Sequence, residues 1–154
     1  MTWEPLRDEL PAVLRDAAEA HDLVYILGIR EKPIAESWSL IFQECSGASE
    51  EDESRGGDTY WIGVGRYGQW GCYGEVIECE LTPSRQPTLP IMPPSDTTDL
   101  RLVFTDQTAM DLRLPTEVHF TLRLPDQQLQ IIKRGLVRVL TSGRPSSCPR
   151  LLRV

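Results

Sequence analysis

The segment TEVHFTLRL, residues 116–124, alternates apolar and polar side chains along its whole length. In an extended chain Val118, Phe120 and Leu122 point to one side and the polar residues to the other. A period of two predicts a strand with one buried face, because a helix would scatter these apolar residues around its surface. The segment YGEVIECEL, residues 73–81, repeats the pattern and predicts a second strand of this kind.

Four further segments are short, apolar and rich in aromatic or β-branched residues, which favours strands. The predicted strands are residues 23–30, 37–45, 59–65 and 100–104. The link EKPIAE between the first two of these strands is short enough for a hairpin.

Helical spacing appears at the two ends of the chain. Apolar residues at steps of three and four predict a helix over residues 4–20, and another that begins at Pro125 and ends at Gly143. Thr105 is expected to cap a short helix that runs to Leu112, because its hydroxyl can accept from a free backbone N–H.

The fold class that follows is α+β: a mostly antiparallel sheet of about six strands packed with an N-terminal and a C-terminal helix. Residues 82–98 hold five prolines and predict an extended or irregular excursion. We expect residues 1–143 to form a single α+β domain. Residues 144–154 are expected to be a C-terminal tail, either flexible or strapped over the surface.

The stretch GVGRYG, residues 63–68, has the form G-x-G-x-x-G of the dinucleotide-binding fingerprint. That motif binds phosphate because a helix begins inside it and directs free N–H groups at the ligand. Here two more glycines and two aromatic residues follow, and then an alternating segment. The sequence therefore predicts a glycine-rich connection between two strands rather than a nucleotide site.

Four aromatic residues lie in or beside this turn: Trp61, Tyr67, Trp70 and Tyr73. They have two interpretations, core packing or an exposed contact surface, since Trp and Tyr are common anchors at interfaces. Core packing is favoured for Trp61 and Tyr73, and less so for Trp70, which has polar Gln69 and Gly71 as neighbours.

The net charge of −7 and the pI near 4.8 argue against binding to nucleic acid, which requires clustered Lys and Arg. The acids concentrate in one segment, which holds Glu50, Glu51, Asp52, Glu53 and Asp58. Such a run is either a solvated loop or a docking surface for a basic protein. It lacks the ligand spacing of a calcium loop.

No cofactor or metal ligand set is expected. The four cysteines form no C-x-x-C pair, and neither histidine lies at a zinc-finger offset from them. We expect free thiols in a reducing cytosol. Cys72 paired with His119, with Glu75 and Glu78 beside them, stays open as the basis of a small enzyme or ligand-binding domain.

The first residues, MTWEPLRDELPAVL, carry acids and two prolines, which is not the pattern of a signal peptide. No apolar run has the length of about 18 residues that a membrane helix needs. The sequence therefore predicts a cytoplasmic protein that does not bind membranes.

The order of these features resembles a family of bacterial polymorphic-toxin immunity proteins, immunity protein family ten. The resemblance is carried by YILG at 25–28, LIFQE at 40–44, DTYWI at 58–62 after the acidic run, and CYGE at 72–75 leading into a strand. A short strand, a small helix, another strand and an amphipathic helix follow in the same order. The similarity spans about residues 22–141.

The resemblance implies a protein without enzymatic activity that binds a cognate toxin domain, such as a basic nuclease, one to one in the cytoplasm. The protein itself would be a monomer or a homodimer. A structural subunit that associates with itself through the aromatic turn is a further alternative. The candidate partner-binding residues are Glu50, Glu51, Asp52, Glu53, Asp58, Tyr67, Trp70, Tyr73 and Glu75.

Overall fold

The structure is a computed structural model that describes residues 10–45, 59–86 and 95–154. Within these ranges the chain forms ten strands in two five-stranded sheets, two α-helices and one 3₁₀ turn. The strands are β1 (Val13–Leu14), β2 (Asp16–His21), β3 (Tyr25–Arg30), β4 (Trp38–Gln43), β5 (Trp61–Arg66), β6 (Trp70–Tyr73), β7 (Val76–Gln86), β8 (Ser95–Phe104), β9 (Glu117–Leu122) and β10 (Leu151–Arg153). The helices are α1 (Asp106–Leu112) and α2 (Asp126–Leu140), and the 3₁₀ turn is Pro145–Ser147.

One sheet, sheet I, has the order β2-β3-β4-β5-β6 and is antiparallel throughout. The other, sheet II, has the order β1-β9-β8-β7-β10, with parallel pairs at its two edges. The prediction of a mixed fold made mostly of strands is confirmed, whereas the single sheet of about six strands is wrong.

The N-terminal helix predicted over residues 4–20 is also wrong where the structure describes it, since residues 13–21 are extended. The chain passes from sheet II to sheet I at Arg15, whose N–H donates to the Arg30 carbonyl at 2.9 Å. Leu14 still belongs to sheet II and accepts from the Arg123 N–H at 2.9 Å. The alanine-rich sequence favours a helix by propensity, and pairing with both sheets overrides that preference.

The core lies between the inner faces of the sheets and the helices. Trp38 of sheet I meets Phe120 of sheet II with ring centroids 5.4 Å apart. Helix α2 packs on β2 and β3 and buries Ile132 and Leu136 completely. Neither helix of the described ranges is long and apolar enough to cross a membrane.

Several local predictions are confirmed. Strands β3 and β4 form the expected hairpin, and α2 is the expected last helix. The Thr105 hydroxyl accepts from the Thr108 N–H at 3.2 Å and so caps α1.

The proline-rich segment and the C-terminal residues are more regular than their sequences suggest. Strand β7 continues to Gln86 and β8 begins at Ser95, so the described part of residues 82–98 is extended, as one of the two predicted alternatives has it, and is paired rather than irregular. The last residues pair with β7, and the Arg150 N–H donates to the Ile77 carbonyl at 2.9 Å. The prediction of a single domain over residues 1–143 stays a prediction.

Candidate protein-binding site

Sheet I turns one face to the core and the other to solvent. Leu27, Leu40 and Ile62 alternate onto the core side and are fully buried. The residues between them point away from the core and form what we call the outer face. Its two central cross-strand rows are Ala20, Ile26, Gln43, Trp61 and Tyr73, and then Ala18, Gly28, Ile41, Gly63 and Gly71.

The two central rows contain no charged side chain. The next row along the strands holds Asp16 and Arg30, and these pair with each other at 2.6 Å. Outer sheet positions are usually polar in an antiparallel sheet that has one face in water. An uncharged face with aromatic and aliphatic side chains is therefore suited to contact with another molecule.

Trp61 lies across two glycines of this face. A Cβ placed on Gly63 would lie 2.6 Å from Cζ3 of the indole, and one on Gly71 would lie 2.8 Å from Cε2. Neither distance is tolerable for a real carbon, so the ring occupies the space that two side chains would take. Gly63 is buried under the ring, whereas Trp61 itself stays partly exposed.

The glycine turn is the β5–β6 hairpin, as predicted, and no helix begins in it. Tyr67 and Gly68 both have left-handed backbone conformations, with φ values of 59° and 63°. Two consecutive positive φ values are typical of the tight turns that join twisted antiparallel strands. The strand β6 that follows is itself an addition to the predicted set.

The structure separates the predicted aromatic residues. Tyr73 lies on the outer face beside Trp61 and is 53% exposed, and Tyr67 projects from the hairpin turn at 70% exposure. Trp70 points to the opposite side of β6, where it packs against the core under the Arg113 guanidinium, 3.6 Å from the ring centre. The preference for Tyr73 rather than Trp70 in the core is thus reversed.

Glu75, two residues after Tyr73, makes contacts within the protein itself. Its N–H donates to the Thr108 hydroxyl at 3.0 Å, and its carboxylate lies 3.5 Å from Arg144. The other predicted contact residues, Glu50, Glu51, Asp52, Glu53 and Asp58, lie outside the described residues.

The outer face of sheet II differs sharply from that of sheet I because it is charged. Arg101 contacts Glu78, Glu80 and Glu117 at 3.1, 2.9 and 2.8 Å. These side chains satisfy one another, so this face has less to gain from a partner than the uncharged face of sheet I.

Cys72 and His119 are not brought together as a nucleophile and base. Cys72 faces the core side of sheet I opposite Ile62, and burial raises the pKa of its thiol to about 11. His119 lies on sheet II, where Asp99 at 2.9 Å raises its pKa. In the described ranges no group of three or more His, Cys, Asp or Glu could hold a metal ion.

Sequence reasoning missed the outward orientation of Trp61 and the part played by Ile26 and Ile41. The available signal was the pair Gly63 and Gly71, whose empty positions accept a large ring from a neighbouring residue. The register that brings them side by side cannot be read from one strand alone.

These features describe an α+β fold in which sheet I has helix α2 on one side and two uncharged rows of residues on the other. Residues 12–86 match the model of the family Immunity protein 10, which confirms the resemblance to that family over these residues. The matched residues include every strand of sheet I. No curated protein and no solved structure matches the chain.

Proposed function

We propose that this protein is an immunity protein that neutralises a cognate bacterial toxin by direct, stoichiometric binding in the cytoplasm. The observation that carries the proposal is the position of the outer face of sheet I. The two central, uncharged rows of this face are built entirely from residues 18–73, within the segment that matches the immunity family.

The charge of the protein supports a basic partner. A net charge of −7 speeds the encounter with a positively charged domain, and a nuclease that binds phosphate backbones is such a domain. The protein would act by covering the toxin, as part of a polymorphic toxin system, and no catalytic step of its own is needed.

The size of the outer face sets how much of the contact it can supply. Four strands about 20 Å long and the shorter β6, about 14 Å long, spaced by about 4.8 Å, give a surface of about 450 Å². A stable interface buries about 800 Å² on each partner. The outer face would thus be the centre of the contact, and neighbouring segments such as the exposed turn at Tyr67 would add the rim.

The test looks for a toxin domain encoded in the open reading frames next to this gene and expresses it with and without the protein. We expect rescue of growth, and recovery of both chains in one complex at a ratio of one to one. A toxin that kills equally well with the folded protein present would contradict the proposal. Rescue without a complex would contradict direct binding.

A further inference from the structure

The indole of Trp61 lies on the outer face of sheet I. One side of the ring rests on Gly63 and Gly71, and three ring atoms lie near the Cβ position of each glycine. Gly63 is buried whereas Gly71 stays exposed, so the ring covers Gly63 more than Gly71. Trp61 itself is partly exposed on this face, so part of its ring is accessible.

The fold already pairs aromatic rings with cations elsewhere. The Arg113 guanidinium lies 3.6 Å from the centre of the Trp70 ring, and that of Arg138 lies 4.4 Å from the centre of the Tyr25 ring. Across the part of the chain that the structure describes, no cation lies over Trp61. The exposed part of the Trp61 ring can therefore receive a cation from another molecule.

We propose that the Trp61 ring receives a Lys or Arg side chain of the toxin domain, an inference that rests on the proposed function. Tryptophan is the strongest cation–π acceptor among the side chains. The surrounding rows of Ile26, Ile41 and Tyr73 carry no charge, so they would exclude water from the bound cation without competing for it.

Charge complementarity decides between a cation and other occupants. The acidic protein repels nucleic acid, so a stacked base is disfavoured. A purely aliphatic side chain would gain nothing from the net charge of −7, whereas a basic side chain gains from both the ring and the charge. Arg30, the nearest cation by register, is held by Asp16 and does not reach the two central rows.

The test replaces Trp61 site-specifically with mono-, di- and trifluorotryptophan and measures the dissociation constant of each complex with the toxin domain. Fluorine withdraws electron density from the π-face but leaves the ring's shape nearly unchanged, so the variants should fold. We expect the affinity to fall stepwise with each fluorine, by about 10-fold in all. The same substitutions at Trp38, which is buried against Phe120, are the matched control and should leave the affinity unchanged.

An affinity that stays constant or rises with fluorination at Trp61 would show a hydrophobic contact or none, and would overturn the inference. The proposed function would survive that result, because the unsubstituted protein still binds. If the unsubstituted, folded protein does not bind the toxin domain at all, the proposed function fails and the inference fails with it.

Discussion

The indole of Trp61 lies so close to Gly71 of the adjacent strand that a Cβ on Gly71 would lie 2.8 Å from Cε2 of the ring. The ring takes the space that a side chain would need at Gly71 and at Gly63. The glycines of this segment thus make room for an aromatic ring of the same sheet. In a nucleotide-binding motif, glycines would instead make room for a phosphate group.

Substitution of Gly71 by Ala should lift the indole off the sheet. We expect a loss of about 1 kcal/mol in the free energy of unfolding, because the ring must move and loses packing. Urea unfolding measures the stability, and acrylamide quenching of tryptophan fluorescence measures the added exposure.

Gly28→Ala is the matched control for this substitution. Gly28 lies in the same cross-strand row, but its Cβ would meet only the Ala18 carbonyl oxygen at 3.9 Å. This variant should be unchanged or more stable by about 0.5 kcal/mol, since alanine costs less chain entropy than glycine. Equal stability of the two variants would argue against the covering ring.

Tyr60→Phe should destabilise the protein by about 1–3 kcal/mol. The Tyr60 hydroxyl is fully buried, accepts from the Val76 N–H at 2.7 Å and donates to the Ser147 carbonyl at 3.2 Å. Its removal leaves two buried backbone groups without this partner. Thermal and urea unfolding would show the loss.

Tyr73→Phe is the control, because it also removes a tyrosine hydroxyl but does so at an exposed position. Its stability should stay within about 0.5 kcal/mol of the wild type. If both tyrosine variants unfold at the same denaturant concentration, the link from Tyr60 to the C-terminal residues contributes little.

Acid should weaken the contact between helix α2 and sheet I. Hydrogen bonds from Arg134 at 2.6 Å and from the Tyr25 hydroxyl at 2.7 Å lower the pKa of Glu19 from its ordinary 4.5. A pKa that is lower in the folded state gives stability that is present above pH 4.5 and lost as the pH falls through the folded value. Unfolding measured from pH 7 to pH 2 should show this decline.

Glu19→Gln and Arg134→Gln should each flatten that decline, because each removes one side of the pair. Both variants should already be less stable than the wild type at pH 7. A wild-type pH dependence in both would exclude Glu19 as a source of the acid sensitivity.

The acidic run is expected to act on the rate of encounter with the toxin. Replacement of Glu50, Glu51, Asp52 and Glu53 by Gln or Asn should slow association with a basic toxin domain about 10-fold at low salt. Stopped-flow mixing measures the rate. In 0.5 M NaCl the wild type and the variant should associate with the toxin domain at similar rates, since salt screens exposed charges. A rate that is unchanged at low salt would leave the run as a solvated loop.

Local structure could be predicted wherever the residues of one strand, helix or cap are enough to define it. The alternation around Phe120, the cap at Thr105 and the helix that begins after Pro125 each follow from a few adjacent residues. The hairpin turn at Gly68 could likewise be recognised, because a glycine-rich link between two extended segments favours positive φ.

What depends on register or on distant pairing could not be predicted. The alanine-rich strand β2 reads as a helix until β3 is placed beside it. Strand β10 is too short to show a pattern and is defined by its pairing with β7. The orientation of Trp61 depends on glycines in two strands, so the candidate site was only partly visible in the sequence.

The central claim is that the protein neutralises a toxin by binding it through the outer face. Isothermal titration calorimetry with the cognate toxin domain tests this claim most directly. We expect one toxin per chain. Ile26→Lys on the outer face should weaken binding at least about 30-fold, by the size of an interface hot spot. Thr121→Lys on the charged face of sheet II should bind as the wild type does. No binding by the folded wild type, or weakening by Thr121→Lys alone, would contradict this mode of neutralisation.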